Sequence, residues 1–152
     1  MVDQRVLERL NQAGVEYRLL SHQPVYTCED AARETCTRTS MHVKAMLVLD
    51  VDNRPALALL PGDRRLSLRK TDKVLGVSSV RLATKEEVKK ILDIEPGAVS
   101  ALIAENMPML LDVEILRNKL VYMSAGTHTE SVVISSRDFH RLTKARLTSI
   151  SE

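Results

Sequence analysis

The chain has 152 residues, 44% apolar and 28% charged, with only five Gly and five Pro. That predicts one globular domain over residues 1–152 and excludes disorder, collagen-like repeats and low-complexity tracts. Aromatics are 3%, too few for a single-stranded nucleic-acid stacking platform, and the net charge of +2 hides a segregation: residues 61–90 are net +5, whereas 1–60 and 91–152 are −1 and −2.

Asp3 is placed to cap a first helix, with Val6, Leu7 and Leu10 on one face and Gly14 just past its end. Glu16–Leu20 reads as a short strand. Thr27-Cys28-Glu29-Asp30 is close to a capping box, so a second helix is expected to about Thr35. Val43–Val51 is the strongest strand signal. With the turn Asp52–Pro55 and the run Ala56–Leu60 it makes a hairpin. Pro61-Gly62-Asp63 is a turn, Leu66–Leu68 a short strand, and Arg69–Leu75 a helix stopped by Gly76.

Val80–Ala83 is expected as a strand. Thr84-Lys85-Glu86-Glu87 fits the capping box of a helix over Lys85–Ile91. Met109–Leu111, Leu120–Met123 and Ser131–Ile134 follow as strands, then a last helix over Arg137–Leu142, with a frayed tail after Lys144. Links such as 51–56 are too short for parallel crossovers. The class predicted is α+β: a mixed, largely antiparallel sheet with short helices packed around it.

Most standard chemical signatures are missing. There is no GxGxxG, Walker loop, HExxH or GxSxG. His22, His42, His128 and His140 lack metal-ligand spacing, so neither metal nor cofactor is expected. Cys28 and Cys36 read as two reduced thiols in a cytoplasmic protein. The N-terminus lacks a signal peptide's apolar core, and the longest apolar stretch, Ala56–Pro61, is far too short to span a membrane.

Lys44 is the most unusual residue. It opens the Val43–Leu49 strand on the same face as Met46 and Val48, so it either floors a pocket or snorkels to water from a strand end. A partly buried ammonium suits an anionic or carbonyl ligand. Gly97 either brings backbone N–H groups close to a ligand, with Ala98 beside it, or is an ordinary turn glycine after Pro96. His128 is either a ligand-side histidine or a surface one. Asp63 and Asp112 are acids at strand ends, where turn and cap roles compete with binding. Arg64, Arg65, Arg69, Lys70 and Lys73 form the densest basic cluster, suited to phosphates or simply to a solvated face.

Taken in order, several segments resemble the YbaK/EbsC family of prolyl-tRNA-synthetase-associated editing proteins. They are Val43-Lys44-Ala45-Met46-Leu47-Val48, Leu59-Leu60-Pro61-Gly62-Asp63-Arg64-Arg65-Leu66, Leu82–Val88, Glu95–Ser100, Met109–Asp112 and Ala125–Thr129. The resemblance spans roughly Glu16 to Leu142. It implies a barrel-like form of the predicted sheet and hydrolysis of the ester of mischarged aminoacyl-tRNA, by a free-standing enzyme or a synthetase domain. The family lysine maps onto Lys44. The family's glycine-x-x-x-proline loop maps onto Gly97–Ala101, with Ala101 where the proline stands and Asp93 where relatives often carry another glycine. Lys44, Gly97 and His128 are thus expected to be catalytic. Ala98, Ala101, Asp63 and Asp112 are expected to bind substrate, and Arg64, Arg65, Arg69, Lys70 and Lys73 the tRNA backbone. Aminoacyl-tRNA is the expected partner, with a synthetase as a further one. Two rivals stand beside this reading: a non-catalytic aminoacyl-tRNA or nucleotide-binding module, and a hydrolase of small aminoacyl esters.

Overall fold

The computed structural model describes residues 2–104 and 106–152. Helix α1 (Gln4–Ala13) buries Val6 and Leu10, starts at Asp3, whose carboxylate accepts from the Arg5 N–H, and stops at Gly14. Strand β1 (Tyr17–Ser21) leads to α2 (Cys28–Thr35), capped by the Thr27 hydroxyl, which accepts from the Asp30 N–H. The hairpin β2 (Val43–Asp50) and β3 (Pro55–Pro61) forms as expected. Then come α3 (Leu68–Leu75), β4 (Val80–Leu82), and α4 (Lys85–Leu92), whose Thr84 and Glu87 make the full capping box. Strands β5 (Met109–Asp112), β6 (Leu120–Ser124) and β7 (Glu130–Ser135), helix α5 (Ser136–Thr143) and β8 (Arg146–Thr148) complete the order.

The strands divide into two sheets. One is three-stranded, β1-β7-β6, and antiparallel throughout; the other is five-stranded, β4-β2-β3-β5-β8. In the larger sheet β3/β5 and β5/β8 are parallel, the remaining pairs antiparallel. The parallel β3/β5 pair carries α3, β4 and α4 in its connection, the long crossover that parallel pairing needs. The α+β class and the largely antiparallel pairing hold, but neither sheet closes on itself, so barrel-like overstates the closure.

Two corrections concern short segments. Leu66–Leu68 is not a strand: Leu66 makes a single bridge to Ser151, and Ser67 instead caps α3. The tail after Lys144 is not frayed. β8 adds to β5, and Ile150 and Ser151 are buried. With Arg146 and Thr148 flanking Leu147, this strand is hidden in a polar stretch.

The larger sheet is buried on both faces, which explains the unbroken apolar run of β3. Leu57 and Leu59 join the main core with Val6, Leu10, Val132, Ile134 and Phe139. Ala56, Ala58 and Leu60 face a smaller core with Val48, Leu66, Leu110 and Ile150. Lys44 has the parity of Met46 and Val48, hence of the smaller core, but stands at the end of β2 next to the turn after β3. Among the described residues no helix is long and apolar enough to cross a membrane.

Candidate functional site

Where the two sheets meet, a cleft of about 320 Å³ opens, walled by the start of α2, the first residues of β2, the Gly97 loop and the β6–β7 ends. Lys44 lines it, and its ammonium donates to the Arg64 carbonyl at 2.6 Å. The strand therefore presents the cation, and the turn after β3 holds it.

Gly97 also lines the cleft, in a left-handed conformation (φ 90°). A Cβ there would meet His128 Cε1 and the Tyr26 carbonyl, each at 3.4 Å. The loop thus needs glycine for its backbone and packs closely on its neighbours. The Ala98 N–H is not available as a second donor, because it donates to the Glu95 carbonyl at 3.0 Å, and Ala98 itself is buried. Its carbonyl accepts from the Ser124 hydroxyl at 2.8 Å, tying the loop to β6.

His128 does not itself line the cleft; it stands beside Gly97, which does, with its ring 4.6 Å from that of Tyr26 at an interplanar angle of 40°. Its Nδ1 lies 3.1 Å from the Val25 carbonyl. A carbonyl only accepts, so Nδ1 donates this bond and Nε2 is the ring nitrogen left for other contacts.

The remaining expected residues lie elsewhere. Asp63 is exposed in the turn after β3. Ala101 is buried in the main core, behind the loop rather than on the cleft wall. Asp112 is wholly buried and does not line the cleft: its carboxylate accepts from the N–H groups of Glu114, Ile150 and Ser151. Burial opposes its charge, but those donors win and hold its pKa below the usual value. Arg65, Arg69, Lys70 and Lys73 are exposed on α3 and the segment before it. Arg64 joins that face to the cleft, since its carbonyl holds Lys44 while its guanidinium reaches Glu114 at 3.6 Å.

The family model for the aminoacyl-tRNA editing domain matches residues 22–142. The chain belongs to that family. Over 93% of its length this editing domain is 24% identical to the prolyl-tRNA editing protein ProX of Acetoanaerobium sticklandii, covering 90% of that protein. It is 25% identical to the multifunctional Ser/Thr-tRNA deacylase ProXp-y of Escherichia coli, covering 95% of this chain and 89% of the relative. Among solved structures, the hypothetical protein APE2540 superposes with a TM-score of 0.92 at 28% identity, over 98% of this chain and 100% of that one.

The editing domain also places in its cleft side chains that the sequence did not single out. Cys28 opens α2 against Gly62, and burial pushes its thiol up to about 11, with Lys44 pulling the other way. His42 is held by the Thr37 hydroxyl at 2.7 Å and stacks on Tyr122 at 5.0 Å. Burial, and secondarily His22, lowers its pKa to about 4, so it is neutral. Outside the cleft lining, His22 Nδ1 lies 2.8 Å from the Gln23 carbonyl and donates to it. Its Nε2 lies 2.8 Å from the Ser131 hydroxyl, which can donate or accept. Glu130 and Glu29 are the acids of the wall. The one sequence signal for Cys28 was its place just after the Thr27 cap; nothing local marks His42 or Glu130. Among the described residues no group of three or more His, Cys, Asp or Glu is arranged to hold a metal.

Proposed function

We propose that residues 1–152 act as one trans-editing domain that hydrolyses the ester of mischarged aminoacyl-tRNA. One observation carries this reading: an editing-family chain holds a fixed ammonium, Lys44, beside a glycine loop in an inter-sheet cleft. Water adds to the ester carbonyl carbon, the bond to the ribose oxygen breaks, and that oxygen takes a proton. The products are free amino acid and tRNA.

Lys44 meets the charge that develops on the carbonyl oxygen, or the terminal phosphate. Such preorganised electrostatics contributes more in a dry cleft than in water. Gly97 lets the acyl end approach the backbone. Its own N–H, without that of Ala98, is the backbone donor in reach. His128, through Nε2, orders the water or contacts the terminal adenosine. The ribose hydroxyl beside the ester assists proton transfer. Glu130 faces the α-ammonium. The Arg65–Lys73 face follows the acceptor-stem phosphates. The names of the prolyl-tRNA and Ser/Thr-tRNA relatives support this substrate class. The cytosol, where charged tRNAs circulate, is the proposed compartment, and a synthetase the proposed further partner.

The deciding experiment incubates the protein with labelled Ala-, Cys-, Ser-, Thr- and Pro-charged tRNAs. Loss of one or two esters is expected, reduced about 10²–10³-fold in Lys44→Ala. No loss from any of them, with the protein folded, overturns the editing reading. The engaged Ala98 N–H would then favour a module that binds the aminoacyl end without turnover.

A further inference from the structure

The carbonyl that holds Lys44 is itself held from behind. It belongs to residues 62–67, the segment joining β3 to α3. The Arg64 N–H donates to the Pro61 carbonyl at 3.0 Å, closing the turn. The rest of the segment is bound by residues 150–152: the Glu152 N–H donates to the Arg65 carbonyl at 2.8 Å, Leu66 bridges Ser151, and the Ser67 N–H donates to the Ile150 carbonyl at 2.7 Å. The Lys70 ammonium adds a bond to the Ser151 carbonyl at 2.8 Å.

Residues 150 and 151 are in turn fixed by one carboxylate. Asp112 Oδ2 accepts from the Ile150 and Ser151 N–H groups at 3.0 and 2.8 Å, while Oδ1 accepts from the Glu114 N–H at 2.9 Å. Glu114 returns to the same segment through Arg64. Two routes from the Lys44 acceptor therefore converge on the end of β5.

We propose that Asp112 is a positioning residue for Lys44, acting through residues 150–152 and the Arg64 carbonyl. The proposal rests on the reading that Lys44 meets the ester. A lysine is a point charge on a flexible stem, so the placement of its acceptor decides where the ammonium stands. Asparagine cannot replace the aspartate. It keeps one acceptor oxygen, and its NH₂ group would oppose an N–H, so either the Glu114 turn or the 150–152 segment is released.

The test uses the full chain as wild type, Asp112→Asn, Glu114→Gln and Lys70→Met. Each is pulse-acetylated with limiting acetic anhydride, and Lys44 labelling is read by mass spectrometry against the exposed Lys85 and Lys119. In folded Asp112→Asn, Lys44 labelling is expected to rise several-fold, and kcat on the charged tRNA to fall about tenfold or more with KM held within about twofold, as misplacement of a reacting group predicts. Unchanged labelling and kcat in folded Asp112→Asn overturn the proposal. Should that variant not fold, the double variant Glu114→Gln/Lys70→Met decides, because both side chains act from the surface side of the brace: unchanged Lys44 labelling overturns it. If wild type hydrolyses no charged tRNA, the editing reading falls, and the labelling alone judges the brace.

Discussion

Cys28 is seated on the bare α-carbon of Gly62. A methyl group on Gly62 would stand 2.5 Å from Cys28 Cβ, 2.9 Å from its Sγ and 2.9 Å from the Thr39 carbonyl oxygen. The absence of that methyl lets the start of α2 close one wall of the cleft. Gly62→Ala is expected to cost about 1–3 kcal/mol, the usual range for overpacking, seen as a lower urea midpoint. Adding Cys28→Ala should recover only part of the loss, because the clash with Cβ remains. A wild-type midpoint for Gly62→Ala would contradict this packing.

His42 makes stability depend on pH. The ring is 3% exposed, with a folded pKa of about 4 against an ordinary 6.5. Between those values the unfolded chain binds a proton that the folded chain refuses. This contribution is whole above pH 6.5 and is lost as pH falls toward 4, by about 3 kcal/mol over the window. Urea unfolding from pH 7.5 to 4.5 should show this slope in wild type and a flatter one in His42→Gln. Equal slopes would mean that the buried imidazole titrates normally.

Glu130 is expected to distinguish substrates by their α-ammonium. Wild type should hydrolyse aminoacyl-tRNA faster than its N-acetylated counterpart. In Glu130→Gln the KM for the free-amine substrate should rise about tenfold, a loss in the range of one charged hydrogen bond. The acetylated substrate should be little affected. Parallel losses on both substrates would assign Glu130 to architecture instead.

The basic face predicts a salt signature. Reversing Arg65, Arg69 and Lys73 to Glu should lower kcat/KM on charged tRNA. The salt dependence of binding should become shallower, by up to about 0.7–0.9 in logarithmic slope for each phosphate that is no longer neutralised. An unchanged slope would move the tRNA path to another face and favour turnover of small esters.

Much of the fold was legible because its signals are local. Caps at Asp3, Thr27 and Thr84 marked helix starts, and the β2–β3 hairpin followed from apolar runs around a turn. The split into two sheets was not legible, since pairing partners such as Tyr17 and Ile134 lie far apart in sequence. β8 leaves no such trace because none of Arg146, Leu147 and Thr148 is buried, and only parallel pairing with β5 reveals the strand. At the site, Lys44 stood out as a charge opening an apolar strand. Asp112 was expected to bind substrate and instead accepts from three backbone amides away from the cleft, because an acid at a strand end looks alike in either setting. His42 and Glu130 carry no local mark, and only the meeting of two sheets brings them to one cleft.

That meeting divides the cleft between two supports. The cation stands on the five-stranded sheet, braced by β3, β5 and the segment after β8, whereas Tyr122, Ser124, Glu130 and Ser131 stand on or beside the other sheet. Substitutions in β6 and β7 can reshape what the cleft accepts without touching a hydrogen bond in the brace behind Lys44. The shape of the cleft and the seat of its ammonium thus rest on two different sheets, so a change of side chain on one leaves the hydrogen bonds that hold the Lys44 acceptor on the other in place.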